Sequence, residues 1–166
     1  MIFRATIKLL KSSVIKPVKC EKTTDEVFPG EWYGNILKTG HVGKTYVLLF
    51  HNTTKIAIIC PTKSLNVAIK MLPERLERFL VRHKFESIID EFELKSENKI
   101  FTTNDRRTLA FINEIGYNAE WHLSLSESLE SCDLEYIEDI HTKYLFPIKG
   151  KTHKYETTFD ILKRII

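Results

Sequence analysis

The chain has only three cysteines, Cys20, Cys60 and Cys132, set far apart with no paired spacing. That excludes a disulfide-stapled scaffold and predicts reduced thiols, with Cys60 buried in the apolar run that contains it. No apolar stretch approaches the roughly 20 residues that span a bilayer, so no membrane association is expected. Residues 1–10 are too short and too interrupted by Arg4 and Lys8 for a signal peptide. The six histidines, His41, His51, His83, His122, His141 and His153, form no i,i+4 pair and have no cysteine at ligand spacing. No metal or cofactor is therefore expected. Also missing are a phosphate loop, helix-turn-helix punctuation, a zinc finger and an aromatic RNA-binding signature. Cys132 and His141 share a segment, but nothing around them supplies an oxyanion hole.

What remains describes an ordinary globular chain. Its 166 residues fit a single domain, 1–166, with 43% hydrophobic and 28% charged residues, far from disorder or coiled coil. These features predict a cytoplasmic protein. The net charge of +3 is unevenly spread. Before residue 23, Arg4, Lys8, Lys11, Lys16, Lys19 and Lys22 face only Glu21. Residues 127–139 carry Glu127, Glu130, Asp133, Glu135, Glu138 and Asp139 with no Lys or Arg, and Lys143, Lys149, Lys151, Lys154, Lys163 and Arg164 make the end basic again. Such asymmetry marks a polyanion-binding face, a self-complementary homodimer surface, or simply a solvated surface.

Periodicity predicts an α+β fold, a mainly antiparallel sheet of about five strands with helices packed mostly on one face. Strands are expected over residues 2–6, 31–38, 45–52, 55–60 and 99–103, with hairpin turns at 39–43 and 52–54. The runs 47–50 and 56–60 are nearly continuously apolar, as in strands covered on both faces or central in a sheet. Residues 13–30 read as a connecting loop. Pro73 suits the first turn of a helix, residues 87–92 a second short one and 159–166 a terminal one. A helix over 105–115 begins at Asn104 and Asp105 and is closed by Gly116. Residues 117–123 alternate with period two and read as a further strand. The segment 124–143, acidic and weakly patterned, reads as a mobile loop.

Four pieces in order carry a resemblance: Arg4-Ala5-Thr6 with Lys8-Leu9-Leu10, Trp32 with Asn35, Asn52 after an apolar strand, and Thr103 to Arg106 followed by Leu109, Asn113 and Glu114. Over roughly residues 2 to 123 the chain resembles a family of short bacterial proteins of unknown function. Here Ala5 stands where that pattern has Cys, Arg107-Thr108 where it often has Ser-Val, and Ala110-Phe111 where it has small residues. The resemblance implies a bacterial, cytoplasmic protein and supplies no reaction.

Candidate site residues follow from polar groups in excess of what packing needs. Asn104, Asp105 and Arg106 sit at a helix start, where free N–H groups and an Arg fork can hold an anion; capping by Asn104 and Asp105 is the plainer explanation. Asn113 lies amid apolar positions, and a half-buried amide needs partners. Arg4, Trp32, Asn35 and Trp121 complete the candidate binding set, aromatics on strand faces serving either to stack a ligand or to fill core. Arg75, Arg78 and Arg82 fall within about 60° on one helix face and, with Lys84, form a candidate nucleic-acid stripe, offset by Glu74 and Glu77. Asp90, Glu93 and Lys95 faintly resemble a metal-dependent nuclease arrangement. The leading expectation is a non-enzymatic binding or regulatory module that contacts a protein or a nucleic acid. Alternatives are a metal-dependent nuclease or phosphoester-processing enzyme using Asp105, Arg106 and Glu114, and a toxin–antitoxin or phage-defence component.

Overall fold

Five strands form one sheet in a computed structural model that describes residues 1–18, 28–103, 105–148 and 150–166. Cys20, Asn104, Lys19, Glu21, Lys22 and Lys149 lie outside the described residues. The strands are β1 (Ile2–Ala5), β2 (Trp32–Lys38), β3 (Thr45–His51), β4 (Ala57–Cys60) and β5 (Lys99–Thr102), in the order β4-β3-β2-β1-β5. β2, β3 and β4 form the expected antiparallel meander. β1, however, pairs in parallel with both β2 and β5, so the sheet is mixed rather than mainly antiparallel. The reason is chain length: parallel neighbours need a crossover of a dozen or more residues. The connection from Ala5 to Trp32 is such a crossover; it carries helix α1 (Ile7–Ser12), where a short helical turn over residues 8–12 is expected ahead of the 13–30 loop.

Helices cover both faces of the sheet, not mostly one. On the first face Phe3, Ala5, Trp32, Val47, Leu49, Ile58 and Cys60 pack against Leu9 of α1, the buried stripe of helix α2 (Leu65–Arg82) and Phe92. On the second, Tyr33, Leu37, Leu48, Phe50, Ala57 and Ile59 meet Ile112, Ile115, Ala119 and Leu123 of α3 (Arg106–Leu125), with Ile137 of α4 (Leu134–His141) and Phe146. Alternate residues of a strand point to opposite faces, so burial of both explains the unbroken apolar runs in β3 and β4. Phe146–Pro147 (β6) and Tyr155–Glu156 (β7) form a small antiparallel pair, and α5 (Thr158–Leu162) closes the chain behind a Thr157/Asp160 capping box.

Two expectations are corrected, the start of the Pro73 helix and the strand at 117–123, and the short helix at 87–92 is found as a 3-10 helix. α2 spans Leu65–Arg82 with Pro73 inside it, because the buried stripe Leu65, Ala68, Ile69, Leu72, Leu76, Phe79 and Leu80 runs through the proline. The segment 87–92 is part of a 3-10 helix, Glu86–Phe92. Residues 117–123 are helix, not strand: α3 continues through Gly116 to Leu125. Ile112, Ile115, Ala119 and Leu123 supply helical spacing that outlasts the short period-two pattern. Gly116 stays because α3 lies close on the sheet there; a Cβ would sit 3.4 Å from Leu37 Cδ2. Within the acidic segment, Asp133 caps α4 by accepting the Tyr136 N–H at 3.0 Å, where a loop was expected.

Because Gly116 is mid-helix with room for one methyl, Gly116→Ala should stabilise the fold by about 0.5–1 kcal/mol. Chemical denaturation reads this directly, and a loss of stability would mean that Leu37 and Leu48 cannot make way for the added methyl.

Candidate functional site

α3 is the element that gathers the candidate residues. Asp105 begins it: one carboxylate oxygen accepts the Arg107 N–H at 3.0 Å and the other accepts the Thr108 hydroxyl. Both oxygens therefore serve the cap. With the buried side of the helix fixed by Thr108, Ile112, Ile115, Ala119 and Leu123, the 100° step of an α-helix sets Arg106, Ala110, Asn113, Tyr117, Trp121 and Leu125 within about 120° on the opposite side. All six are solvent-exposed; Tyr117 is 79%, Trp121 55% and Leu125 62% accessible. The face runs for roughly 28 Å at 1.5 Å per residue. It extends toward α4 through His122, whose ring lies 4.8 Å from Trp121 and 6.0 Å from exposed Tyr136.

Two polar ties hold α3 to β2. Asn35 Nδ2 donates to Asn113 Oδ1 at 3.3 Å, while Asn35 Oδ1 accepts the Thr6 hydroxyl at 3.2 Å and the Ile36 N–H at 2.9 Å. Two helical turns further along α3, and three residues further along β2, Glu120 accepts the Lys38 N–H at 2.8 Å. Asn35 and Asn113 thus come together, as two of the candidate residues, and Arg106 and Trp121 share a helix face with Asn113. Tyr117, Leu125 and Tyr136 were missed as members of this face. A helical reading of residues 106–125 would have found the first two at i, i+4 and i+8 around Trp121.

Arg4 and Trp32 are interior residues on opposite sides of the sheet. Arg4 Nε and Nη2 donate to the two Glu31 carboxylate oxygens at 2.6 and 3.0 Å, with the side chains 1% and 0% exposed. Tyr33 donates its hydroxyl to Glu31 at 3.2 Å, and the Arg4 guanidinium lies 5.4 Å from the Phe101 ring centre. Burial, then the Glu31 charge, pushes the Tyr33 phenol well above its ordinary range. Glu31 is itself held by its backbone: its N–H donates to Asn52 Oδ1 at 2.7 Å and its carbonyl accepts the Asn52 N–H at 2.9 Å. Gly30 makes that approach possible, since at φ +70° its Cβ would sit 2.2 Å from Thr53 Oγ1. Trp32 faces the first core, with its ring 4.8 Å from His51. His51 donates from Nε2 to the Pro29 carbonyl and accepts the Thr54 hydroxyl at Nδ1 at 2.8 Å, and burial pulls its pKa down to about 3.

The arginine stripe of α2 splits into two kinds of residue. Arg75 donates to buried Glu138 at 2.7 Å, and Arg82 reaches Asp139 at 2.8 Å, Glu135 at 3.2 Å and Glu138 at 3.5 Å. His83 Nε2 meets Asp139 at 2.8 Å. Burial raises the Glu138 pKa against the pull of Arg75. At Asp139 burial acts the same way, but the Arg82 and His83 hydrogen bonds outweigh it and hold the carboxyl below its ordinary value. Arg78 pairs with exposed Glu74, at 2.8 Å, and Lys84 faces solvent. Beside this cluster His141 is buried with both ring nitrogens lacking a hydrogen-bond partner among the described residues, and desolvation lowers its pKa to about 4.

Asp90, Glu93 and Lys95 do share a cavity of about 650 Å³, with Pro73, Glu77 and Leu94. Among the described residues, no group of three or more His, Cys, Asp or Glu is placed to hold a metal ion. Burial pushes the Cys60 thiol up to about 12, which makes it an inert core residue. Cys60 and Cys132 are both free thiols. Among the described residues no helix is long and apolar enough to cross a membrane.

A mixed five-stranded sheet between helical layers, with one helix presenting an exposed aromatic face, defines the class of protein. The chain belongs to the family described as Domain of unknown function (DUF6933), whose profile matches residues 2–158. No curated protein and no solved structure is significantly similar to the chain.

Arg4→Met leaves Glu31 buried without its bidentate partner, and should destabilise the fold by about 3–5 kcal/mol. A change below 1 kcal/mol in urea denaturation, roughly the worth of an exposed pair, would contradict that. His51 and His141 are neutral in the fold at pKa values depressed from 6.5. The unfolded chain binds their protons first, so stability is complete above about pH 6.5 and falls as pH drops toward the folded-state values near 3 and 4. His141→Phe should raise the neutral-pH stability by about 1 kcal/mol by removing two unpaired buried nitrogens, and flatten the decline between pH 6.5 and 4. Thermal melts across that range check both, and an unchanged slope would exclude His141 from the titration.

Proposed function

We propose that this protein is a non-enzymatic binding module that captures a protein partner through the outward face of α3. The observation that carries the reading is the alignment of Arg106, Ala110, Asn113, Tyr117, Trp121 and Leu125 on one exposed helix face, extended by Tyr136. Trp, Tyr and Arg are the residue types that dominate interface energetics. A contiguous exposed apolar stripe on a stably packed helix marks an interaction surface more often than chance exposure does. The ties from Asn113 and Glu120 to β2 fix the helix before any partner arrives, which lowers the ordering cost of binding.

A protein partner is favoured over nucleic acid because Arg75 and Arg82 direct their charge to α4. Only Arg78 and Lys84 of that stripe remain toward solvent, too few to track a phosphate backbone.

Photo-crosslinking tests the reading. A crosslinking amino acid at position 117 or 121 in the native cells should give a discrete adduct, while one at exposed Lys70 on the opposite side of the sheet should not. Absence of any adduct at 117 and 121, or equal adducts from 70, would remove the α3 face from the function.

A further inference from the structure

We infer that the partner of the α3 face is a second copy of this chain, the two α3 helices packing antiparallel about a two-fold axis beside Tyr117. The inference rests on the reading of α3 as the binding face. Its first support is the polarity of charge along that face. Arg106 and Arg107 are exposed at the start of α3, and Arg106 makes no ion pair among the described residues. From Thr108 to Thr142 the sequence contains no Lys or Arg, while Glu114, Glu120, Glu127, Glu130, Asp133, Glu135, Glu138 and Asp139 fall within it.

Most of these acids are already engaged inside the chain. Glu135, Glu138 and Asp139 hold α2, Glu120 binds the Lys38 N–H, and Glu130 lines a groove beside Lys44 and Lys63. Glu127 is exposed just past the end of α3 and makes no ion pair among the described residues. The face therefore begins positive at Arg106 and Arg107 and turns negative further along, with exposed Glu114 at its middle and Glu127 just past its end. Reversing a second copy brings Arg106 of one chain to Glu127 of the other, twice in the pair, because the two positions stand almost equally far on either side of Tyr117. A parallel copy would set like against like, and a basic peptide would meet Arg106 and Arg107. Antiparallel packing also opposes the helix dipoles.

Shape points the same way. Reversal about Tyr117 places Trp121 opposite the shorter Asn113, and the small Ser124 and Ala110 opposite each other. The bulkiest side chain of the face therefore does not meet its own copy, and the helices can approach where the small residues meet. Each copy thus supplies both knob and hole, the self-complementarity that an isologous interface requires. One helix pair is small for a specific interface, so micromolar dissociation is expected.

The test is the solution mass of the full chain by light scattering or sedimentation. Wild type should approach twice the 19.4 kDa chain mass at high protein concentration, and Trp121→Ala should stay at the single mass. Arg106→Glu alone and Glu127→Lys alone should each dissociate about tenfold more readily, a difference of about 1.4 kcal/mol. An equimolar mixture of those two variants should regain wild-type association, because both cross-pairs in the mixed dimer are again opposite in sign. Circular dichroism confirms that each variant is folded. Wild type at the single mass, or no recovery in the mixture, overturns the inference. If position 121 nevertheless crosslinks to a different protein, the α3 binding face stands and only the second copy is excluded; if it crosslinks to nothing, both fail.

Discussion

The buried pair of Arg4 and Glu31 is the interaction on which the rest of the structure depends. Arg4 sits on β1, the strand between β2 and β5, in register with Tyr33 on one side and Phe101 on the other. Its guanidinium ties the three strands together: it binds Glu31, the residue before β2, which also accepts the Tyr33 hydroxyl of β2, and it lies over the Phe101 ring on β5. Glu31 in turn is fixed to Asn52 at the end of β3. A buried ion pair adds little net stability over a well-packed apolar substitute. What this one does is exclude alternatives, since any slip of β1 by one residue would turn Arg4 into the apolar first core and strand Glu31. The parallel pairings, which no hairpin enforces, are specified here by charge.

From that register the position of α3 follows. β5 lies beside β1, and α3 leaves its end to cover the second face, where Asn113 and Glu120 meet Asn35 and Lys38 of β2. The inward side of α3 is small and apolar at Gly116 and Ala119, which lets the helix lie close on Leu37 and Leu48. Its large residues, Tyr117 and Trp121, are therefore the ones left outside. Exposure of an aromatic stripe is a consequence of which side of the helix can approach the sheet.

The meander was legible in the sequence because its cues are local: Gly40 and Gly43 between two β-rich runs, and apolar residues without alternation over 47–50 and 56–60. Cys60 was placed correctly in the core by the same run. The parallel strands were not legible, because pairing of β1 with β5 joins residues almost a hundred positions apart and leaves no local mark. Gly116 misled for a physical reason. Glycine at a helix end and glycine at a close helix–sheet contact look alike in sequence, and only the neighbour, here Leu37, separates them. Arg4 and Trp32 were read as binding residues since their partners, Glu31 and His51, lie on other segments. Asn35, Asn113, Arg106 and Trp121 were picked out as polar or aromatic excess, and Arg106 and Asn113 already shared the expected 105–115 helix, but that Trp121 continues it needed the fold.

The charge segments also resolve once geometry is known. α2 and α4 lie on opposite faces of the sheet, yet Arg75 and Arg82 reach Glu138 and Asp139 around the edge strand β4. Glu138 also accepts the Ile59 N–H of that edge at 2.9 Å. The basic stripe and the acidic run are each other's complement, and together they close an edge that would otherwise offer free N–H groups to another strand. Charges that look like surface excess in the sequence are thus internal wherever their counterpart lies within reach. Arg106 and Glu127 are the contrast. One stands at the start of α3 and the other just past its end, neither makes an ion pair among the described residues, and the same two residues in reverse order on a second copy would complement them.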